Sequence, residues 1–264
     1  NKLSELEDIF LPQDSNLGIF ISRFFNSLQE IATAPGDTAP RIVALETGHA
    51  LADSFRQTST VADDLLMGTL KQSKQDLVSV NVLADELVKI NASLMSSGKS
   101  GNANNSMLDS RDRIIDEISK FIEVTTDLDS RGAATLRIGN SGNGPIFVSN
   151  DSKAPLSVAE TFDGIQYSLT AGGKETPTSQ INSGALKGYS DAFTLIKKTI
   201  TDIDEMAFAF SQQVNQQHRQ GIDLNNEKGR DLFGSTGFSV TENPTNISNI
   251  SAEIKITDIS KVSG

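Results

Sequence analysis

Proline is missing from two long stretches of the sequence, residues 41–144 and 178–243. Because proline removes a backbone donor and clashes with the preceding helical turn, its absence leaves both stretches free to form long helices. In the first stretch, candidate inward positions recur in steps of three and four residues at Leu77, Val80, Ala84, Leu87, Asn91 and Leu94. That spacing follows one face of an α-helix. It predicts a helix over 40–95, roughly 80 Å long at about 1.5 Å per residue, which Gly68 could bend or interrupt.

The second proline-free stretch carries the most regular repeat in the sequence. Its apolar residues step by three and four through three heptads: Phe193, Ile196, Ile200, Ile203, Ala207, Phe210 and Val214. The pattern predicts a helix from about residue 187, and Gly221 stops it as a glycine after a helix C-terminus does. Shorter apolar stripes predict two further helices, one over 16–33 and one over 105–121 after a turn-rich connector.

Between residues 124 and 183 the apolar period changes from helical spacing to two. Three prolines and nine glycines lie between residues 132 and 188. Apolar and polar residues alternate in 134–138, 146–148 and 164–169, and glycine-rich turns separate these segments. The pattern predicts a small antiparallel β module.

Together these patterns predict an α+β fold, in which a long antiparallel helical bundle, or rod, carries a small antiparallel β domain inserted between its helices. The expected division is the first part of the helical rod over 1–122, the β domain over 123–185, the returning helix over 186–220, and a β/loop segment that packs on the rod over 221–264. Strands are expected in this last segment at 238–241 and 252–257.

The charge and cysteine content exclude several classes of function. The chain has 34 acidic and 23 basic side chains, a net charge of −11. Phosphate backbones and anionic lipid would repel it, so neither nucleic acid nor a membrane is expected as a partner. The absence of cysteine removes thiolate zinc sites, iron–sulfur clusters and thiol nucleophiles. Phosphate-loop, dinucleotide-loop and serine-hydrolase motifs are also missing, so we expect no cofactor and no metal.

The densest charge cluster consists of Asp109, Arg111, Asp112, Arg113 and Asp116. Its carboxylates and guanidinium groups could form a paired-carboxylate site. A structural role is the preferred interpretation, because acids in the first turns of a helix favour its dipole and Asp109 has the i,i+4 spacing of an ion pair with Arg113.

Residues 223–229 resemble a calcium-binding loop. The positions at which such a loop needs Gly and Glu hold Lys228 and Gly234, so a turn after the helix is the preferred interpretation. The two histidines, His49 and His218, lie outside any metal-binding spacing. His218 falls in the last turn of the regular helix, where a cation suits the helix dipole.

Glu160, Asp163 and Glu175 are candidate acids for an enzyme built on the β module. A wall-cleaving hydrolase would need two facing carboxylates. These three are scattered through turn-rich sequence, so we expect no enzyme and no catalytic residues. A hydrolase and a calcium-binding module stay as the less favoured alternatives.

Three segments in a fixed order carry a family resemblance. They are FFNSLQEIATAP (24–35) followed by Arg41, NSMLDSRD (105–112) with Ile114, Ile115 and Ile118, and SGALKG (183–188) with VNQQH (214–218), GID (221–223), Gly229 and LF (232–233). Each segment alone is a weak signal. Their order and spacing across most of residues 17–233 resemble the flagellar hook-associated protein 1 family.

This resemblance implies a non-enzymatic, exported, extracellular structural subunit of the bacterial flagellum, which polymerises at the hook–filament junction and joins hook to filament. The implied partners are copies of itself in a helical layer, the hook protein, the second hook–filament junction protein, and a cytoplasmic export chaperone that binds a terminal segment. Because the sequence starts at Asn1 without an initiator methionine, we expect a core fragment that lacks both terminal segments. Another flagellar axial protein, flagellin-like or the second junction protein, is the main alternative.

Overall fold

The computed structural model describes residues 17–96 and 102–234. In chain order its elements are α1 (Leu17–Thr33), α2 (Thr38–Ser96), α3 (Asn102–Phe121), β1 (Val124–Leu128), β2 (Ala134–Ile138), β3 (Ile146–Val148), β4 (Leu156–Thr161), β5 (Gly164–Ala171), β6 (Lys174–Thr178) and α4 (Ala185–His218). Long helices with small antiparallel sheets confirm the predicted α+β class. The strands expected at 238–241 and 252–257 lie outside the described residues.

Helix α2 is unbroken over 59 residues, so Gly68 does not interrupt it. Asp37 caps its N-terminus, because Oδ1 of Asp37 accepts a hydrogen bond from the Ala39 N–H at 3.0 Å. The six repeat positions predicted to point inward are at most 6% exposed: Leu77, Val80, Ala84, Leu87, Asn91 and Leu94. The apolar period of the sequence therefore identified the buried face of this helix.

The β segment forms two three-stranded sheets. Strands β1, β2 and β3 pair antiparallel in that order, and β4, β5 and β6 form a second antiparallel sheet of the same topology. The alternating segments of the sequence correspond to β2, β3 and β5. Strands β1, β4 and β6 were not predicted. In β6, four of the five residues are exposed and only Thr178 is buried, so burial does not alternate along this strand.

The chain divides into two compact units, Leu66–Leu195 and the combination of Asn1–Leu65 with Ile196–Gly264. Both divisions fall within helices, and both sheets belong to the unit Leu66–Leu195. The sheets share a hydrophobic core with parts of α2 and α3, because their inner faces are buried against those helices. The separate β domain expected over 123–185 stays a prediction.

Two asparagine side chains on α2 each bond the first residue of one strand. Nδ2 of Asn91 donates to the Ala134 carbonyl, and the Ala134 N–H donates to Oδ1 of Asn91, both at 2.8 Å. Asn81 makes the same pair of bonds with Leu156, at 2.8 and 2.9 Å. Each amide therefore supplies the donor and the acceptor that a neighbouring strand would otherwise supply.

Both tyrosines of the sequence bind α2 through their hydroxyl groups. The Tyr167 hydroxyl donates to the Leu186 carbonyl at 2.9 Å and lies 2.7 Å from Oγ of Ser73. The Tyr189 hydroxyl donates to Oδ2 of Asp76 at 2.7 Å. Burial, with a further contribution from the charge of Asp76, raises the pKa of both phenols to about 12, so both remain neutral donors at physiological pH.

We expect Gly184→Ala to lower the free energy of unfolding by about 3 kcal/mol. Gly184 has a φ of 86°, and an added Cβ would overlap the Phe121 backbone and lie 2.9 Å from the Ile122 nitrogen. Urea unfolding followed by circular dichroism measures the loss. Gly68→Ala is the control, because an added Cβ there meets nothing within 4 Å. It should preserve stability or raise it by up to about 1 kcal/mol. Equal losses in the two variants would contradict the steric explanation.

Candidate functional site

Phe24, the first residue of the first resemblance segment, lies in an aromatic cluster. Its side chain is fully buried. Its ring centroid lies 5.9 Å from that of Phe210 on α4 and 5.6 Å from that of Phe233, both in edge contacts. Such pairs contribute roughly 0.5–1.5 kcal/mol beyond the area they bury. The cluster holds α1, α4 and the segment after α4 in one core.

Asn215 fastens the segment after α4 to this core. Its side chain is 2% exposed. Oδ1 accepts hydrogen bonds from the N–H groups of Leu232 and Phe233, both at 2.8 Å, and Nδ2 donates to the Phe233 carbonyl at 2.7 Å. The amide thereby satisfies three buried backbone groups. Asn215 of the VNQQH segment is therefore an internal clamp, which holds the backbone of the segment after α4 against this helix.

Arg41 also makes an internal hydrogen bond. Its side chain is 2% exposed, and Nη2 donates to the Pro35 carbonyl at 2.8 Å. This bond ties the first turn of α2 to the turn after α1. Within the described residues, Nε and Nη1 of Arg41 have no acceptor.

The charge cluster on α3 has a structural role centred on Arg111. Nη1 of Arg111 donates to the Gly132 carbonyl at 2.5 Å, while Nε and Nη2 donate to Oδ1 of Asp112 at 2.8 and 2.6 Å. The ion pair that the structure shows in this cluster is therefore Arg111 with Asp112, rather than the expected pair of Asp109 with Arg113. Arg111 rather than Arg113 makes these contacts because the side chain of Arg111 points inward, at 7% exposure.

The segment that resembles a calcium loop forms a tight turn. Oδ1 of Asp223 accepts hydrogen bonds from the N–H groups of Asn225 and Glu227, both at 2.8 Å. The Asp223 N–H donates to the Glu227 carbonyl at 2.8 Å, and Asn226 adopts a φ of 63°. The Asp223 carboxylate is thus occupied by backbone donors, in agreement with the turn interpretation.

The two histidines occupy different environments. His49 is exposed on α2. His218 ends α4, and its Nδ1 hydrogen-bonds with the Arg230 carbonyl. Burial lowers the pKa of His218, and the charge of Arg41 lowers it further, against the opposing effects of the Arg230 carbonyl and Asp231. The ring is therefore mainly neutral at pH 7, so the expected interaction of a cation with the helix dipole does not explain its position.

The candidate acids of the β segment do not assemble into a cluster of metal ligands. Glu160 lies in β4, Asp163 in the turn that follows, and Glu175 in β6, where it accepts a hydrogen bond from Ser157. Among the described residues, no three His, Cys, Asp or Glu side chains come together in a way that could hold a metal ion. In the same part of the chain, no helix has an apolar stretch long enough to cross a membrane.

A pair of carboxyl groups that the sequence did not reveal lies in the unit with α1. Asp204 on α4 is 6% exposed, and within the described residues its Oδ2 has no hydrogen-bond partner. Burial, together with the charge of Asp63 on α2, raises the pKa of Asp204 to about 7. Burial likewise raises the pKa of Asp63, and the negative charge of Asp64 acts in the same direction. The two positions are far apart in sequence, so only tertiary structure brings them near each other.

An apolar groove lies between α1 and α4 in the same unit. Its volume is about 330 Å³, and its lining includes Phe25 and Leu28 of α1 with Phe210 and Val214 of α4. Phe25 is 47% exposed. The groove offers an apolar surface for packing and contains no carboxylate, so it does not have the two acids that a glycoside hydrolase requires.

Comparison with protein families gives one match over most of the chain. The family model described as the flagellar hook-associated protein FlgK helical domain matches residues 3–233. This range contains all three segments that carry the resemblance, together with every described helix and strand.

Individual relatives agree with the family match. The chain is 24% identical over 264 aligned residues to flagellar hook-associated protein 1 of Bacillus subtilis (strain 168), covering 89% of this chain and 52% of that protein. It is 25% identical over 271 aligned residues to flagellar hook-associated protein 1 of Salmonella typhimurium, covering 99% and 48%. The chain thus spans about half the length of the curated relatives it matches.

A solved structure is similar in fold. The flagellar hook junction protein FlgK from Burkholderia pseudomallei matches with a TM-score of 0.71 at 18% sequence identity. The match covers 88% of this chain and 44% of that chain.

We expect Asn215→Ala to destabilise the fold by about 2–3 kcal/mol, because three buried backbone groups lose their partner. Urea unfolding and limited proteolysis between residues 219 and 234 measure the effect. Gln216→Ala is the matched control, because Gln216 is the exposed neighbour on the same helix, and it should change stability by less than about 0.5 kcal/mol. Unchanged stability of Asn215→Ala would contradict the clamp.

We expect Asp204→Asn to flatten the dependence of stability on pH. The pKa of Asp204 is about 7 in the folded chain, against an ordinary value of 3.8. Between these values the folded state keeps a proton that the unfolded state releases, so stability falls as pH rises through this window and levels off above it. At pH 8 the variant should be more stable than the unsubstituted chain by roughly 2 kcal/mol.

The matched control for this pH experiment is Asp202→Asn. Asp202 is exposed on the same helix and pairs with Lys198 at 2.6 Å. Its substitution should leave the pH profile of the urea midpoint unchanged, because an exposed pair contributes little. A profile for Asp204→Asn that still falls between pH 4 and 7 like that of the unsubstituted chain would contradict the assignment.

Proposed function

This chain belongs to the family of the flagellar hook-associated protein FlgK helical domain, and we propose that it is part of a structural subunit that joins the hook to the filament of a bacterial flagellum. The match of the family model over residues 3–233 carries the proposal. The names of the curated relatives, flagellar hook-associated protein 1, support a position at the hook rather than along the filament.

The roles of the resemblance residues support a structural function. Phe24, Arg41, Arg111 and Asn215 are all buried and make internal contacts. They are therefore used to build the fold, and the chain does not need them for chemistry on a substrate. A non-catalytic subunit is the function that such an arrangement favours.

We propose that copies of the subunit assemble side by side into a short helical layer. The inward positions of α2 and α4 are occupied by internal packing, so neighbours would contact the outward faces of the helices. In this arrangement the helices form the wall of the tube and the β sheets face outward. The hook protein contacts the layer on one side, and the second junction protein contacts it on the other.

Export completes the proposed function. The subunit would leave the cell as an unfolded chain, with a cytoplasmic export chaperone bound to a terminal segment of the whole protein, and it would fold and assemble outside. A chain without cysteine folds without any disulfide step, and its net charge of −11 favours solubility during this process.

Deletion of the gene for the whole protein in its flagellated host tests the function. Because the layer joins the two parts, the mutant should keep its hooks and lose its attached filaments, with flagellin released into the medium. Electron microscopy and a swimming assay measure this, and the intact gene supplied from a plasmid should restore both. Normal filaments on the mutant would overturn the proposal.

Antibody labelling separates the junction from the main alternative. Label at a single point between hook and filament is the expected result. Label along the whole filament would favour a flagellin-like subunit instead.

A further inference from the structure

We propose that two oppositely charged faces of α2, contributed by two different copies of the chain, form a lateral contact in the assembly. This inference rests on the proposed function and adds to it the residues that would make one contact between copies. The acidic face lies in the part of α2 that belongs to the unit with α1, and the basic face lies in the part that belongs to the unit Leu66–Leu195.

The acidic face follows one side of the helix in steps of three and four residues. It consists of Val43, Glu46, Ala50, Asp53, Gln57, Val61 and Asp64. Val43 and Val61 are 41% and 44% exposed. Asp53 has an ion pair with Arg56 at the surface. Within the described residues, no ion pair neutralises Glu46 or Asp64.

The basic face repeats the same spacing further along the helix. It consists of Met67, Lys71, Lys74, Val78, Val82, Asp85 and Lys89. Its three apolar side chains are unusually exposed, at 60% for Met67, 62% for Val78 and 50% for Val82. Asp85 pairs with Lys153 at 2.7 Å. The three lysines have no ion-pair partner in the part of the chain that the structure describes.

The combination of charge and apolar exposure distinguishes these faces from ordinary surface. Single exposed apolar residues are common on any protein. Here they line up among charges that are mostly of one sign, which is the pattern of a helix seam flanked by steering charges. The basic face also stands out in a chain of net charge −11, because its three lysines have the sign opposite to the net charge of the chain. A second copy of the chain supplies the complementary acidic face.

A shift of three heptads brings the two faces into register. Val61 and Val82 are 21 positions apart, and so are Asp53 and Lys74. If two α2 helices lie side by side in parallel with this offset, roughly 31 Å at about 1.5 Å per residue, valine meets valine and Asp53 meets Lys74. The same offset places Asp64 opposite Asp85, whose charge is offset by its ion pair with Lys153. Lys71 then lies one turn from Glu46 of the other copy, and Asp64 lies one turn from Lys89.

The offset determines the kind of assembly. A contact that joins two different faces leaves the acidic face of one copy and the basic face of the other free for further copies. Such a contact generates rings or helical arrays, whereas a contact between identical faces closes as a dimer. Because the charges are exposed, the contact should weaken as salt is raised.

Engineered cysteines test the register, since the natural chain has none. Two alleles of the whole protein, one with Val61→Cys and one with Val82→Cys, are expressed together in the deletion host. Assembled flagella are isolated, oxidised and separated without reductant. We expect a disulfide-linked dimer that contains one chain of each kind, and at least a fivefold lower yield when Leu128→Cys replaces Val82→Cys. Leu128 is a suitable control because it is an apolar residue of the same unit at 55% exposure.

Charge reversal provides a second measurement. Lys71→Glu with Lys74→Glu on the Val82→Cys chain should reduce the cross-link at least fivefold, and Glu46→Lys with Asp53→Lys on the Val61→Cys chain should restore it. A missing cross-link between the two valine positions, equal cross-linking with the Leu128 control, or dimers of one allele alone would overturn the contact. Filaments are counted on the same cells, so that the proposed function is tested separately. Attached filaments without the cross-link would reject the contact and leave the proposed function standing.

Discussion

Burial of the apolar face of α2 is the constraint on which the rest of the structure depends. Helix α2 has 59 residues, and in proteins most of the stability of a helix comes from packing of its apolar face rather than from propensity. In the unit Leu66–Leu195 this face joins α3 and both sheets in one core, with Leu87, Ile118 and Leu136 fully buried. The sheets are small, and packing against a helix is one of the ways in which such small sheets become stable.

Apolar burial alone would allow the sheets to slide along the helix, and polar side chains prevent this. Asn81 and Asn91 each bond the first residue of one strand through both the oxygen and the nitrogen of the side-chain amide. A shift by one residue would leave these groups without partners, at a cost of about 1–3 kcal/mol for each group that is buried, as Asn91 is. The hydroxyl of Tyr167, bonded to Ser73 and Leu186, adds a further fixed point. The amides thus specify register, while the apolar residues supply most of the stabilisation.

The resemblance segments mix aromatic and polar residues for the same reason: apolar side chains stabilise the core, and polar side chains fix the position of the backbone. Phe24 contributes area to an aromatic core, and Asn215 fixes the backbone that carries Phe233 into that core. Arg111 crosses from α3 to the carbonyl of Gly132, in a space that an added Cβ at Gly132 would fill. These residues are informative about family because they make contacts that few other side chains can make. Their burial leaves the outward helix faces as the surfaces through which copies of the chain can meet.

The sequence by itself determined the helices, their inward faces and the existence of a β segment, because these features depend on periodicities that neighbouring residues already contain. It did not reveal strands β1, β4 and β6, whose side chains lack a clear alternation of burial. It also chose Arg113 rather than Arg111 as the partner within the charge cluster, since spacing alone cannot tell which guanidinium points inward. The proximity of Asp63 to Asp204, the amide clamps and the division into two units were decided only by tertiary structure, because each depends on contacts between residues that the chain order separates.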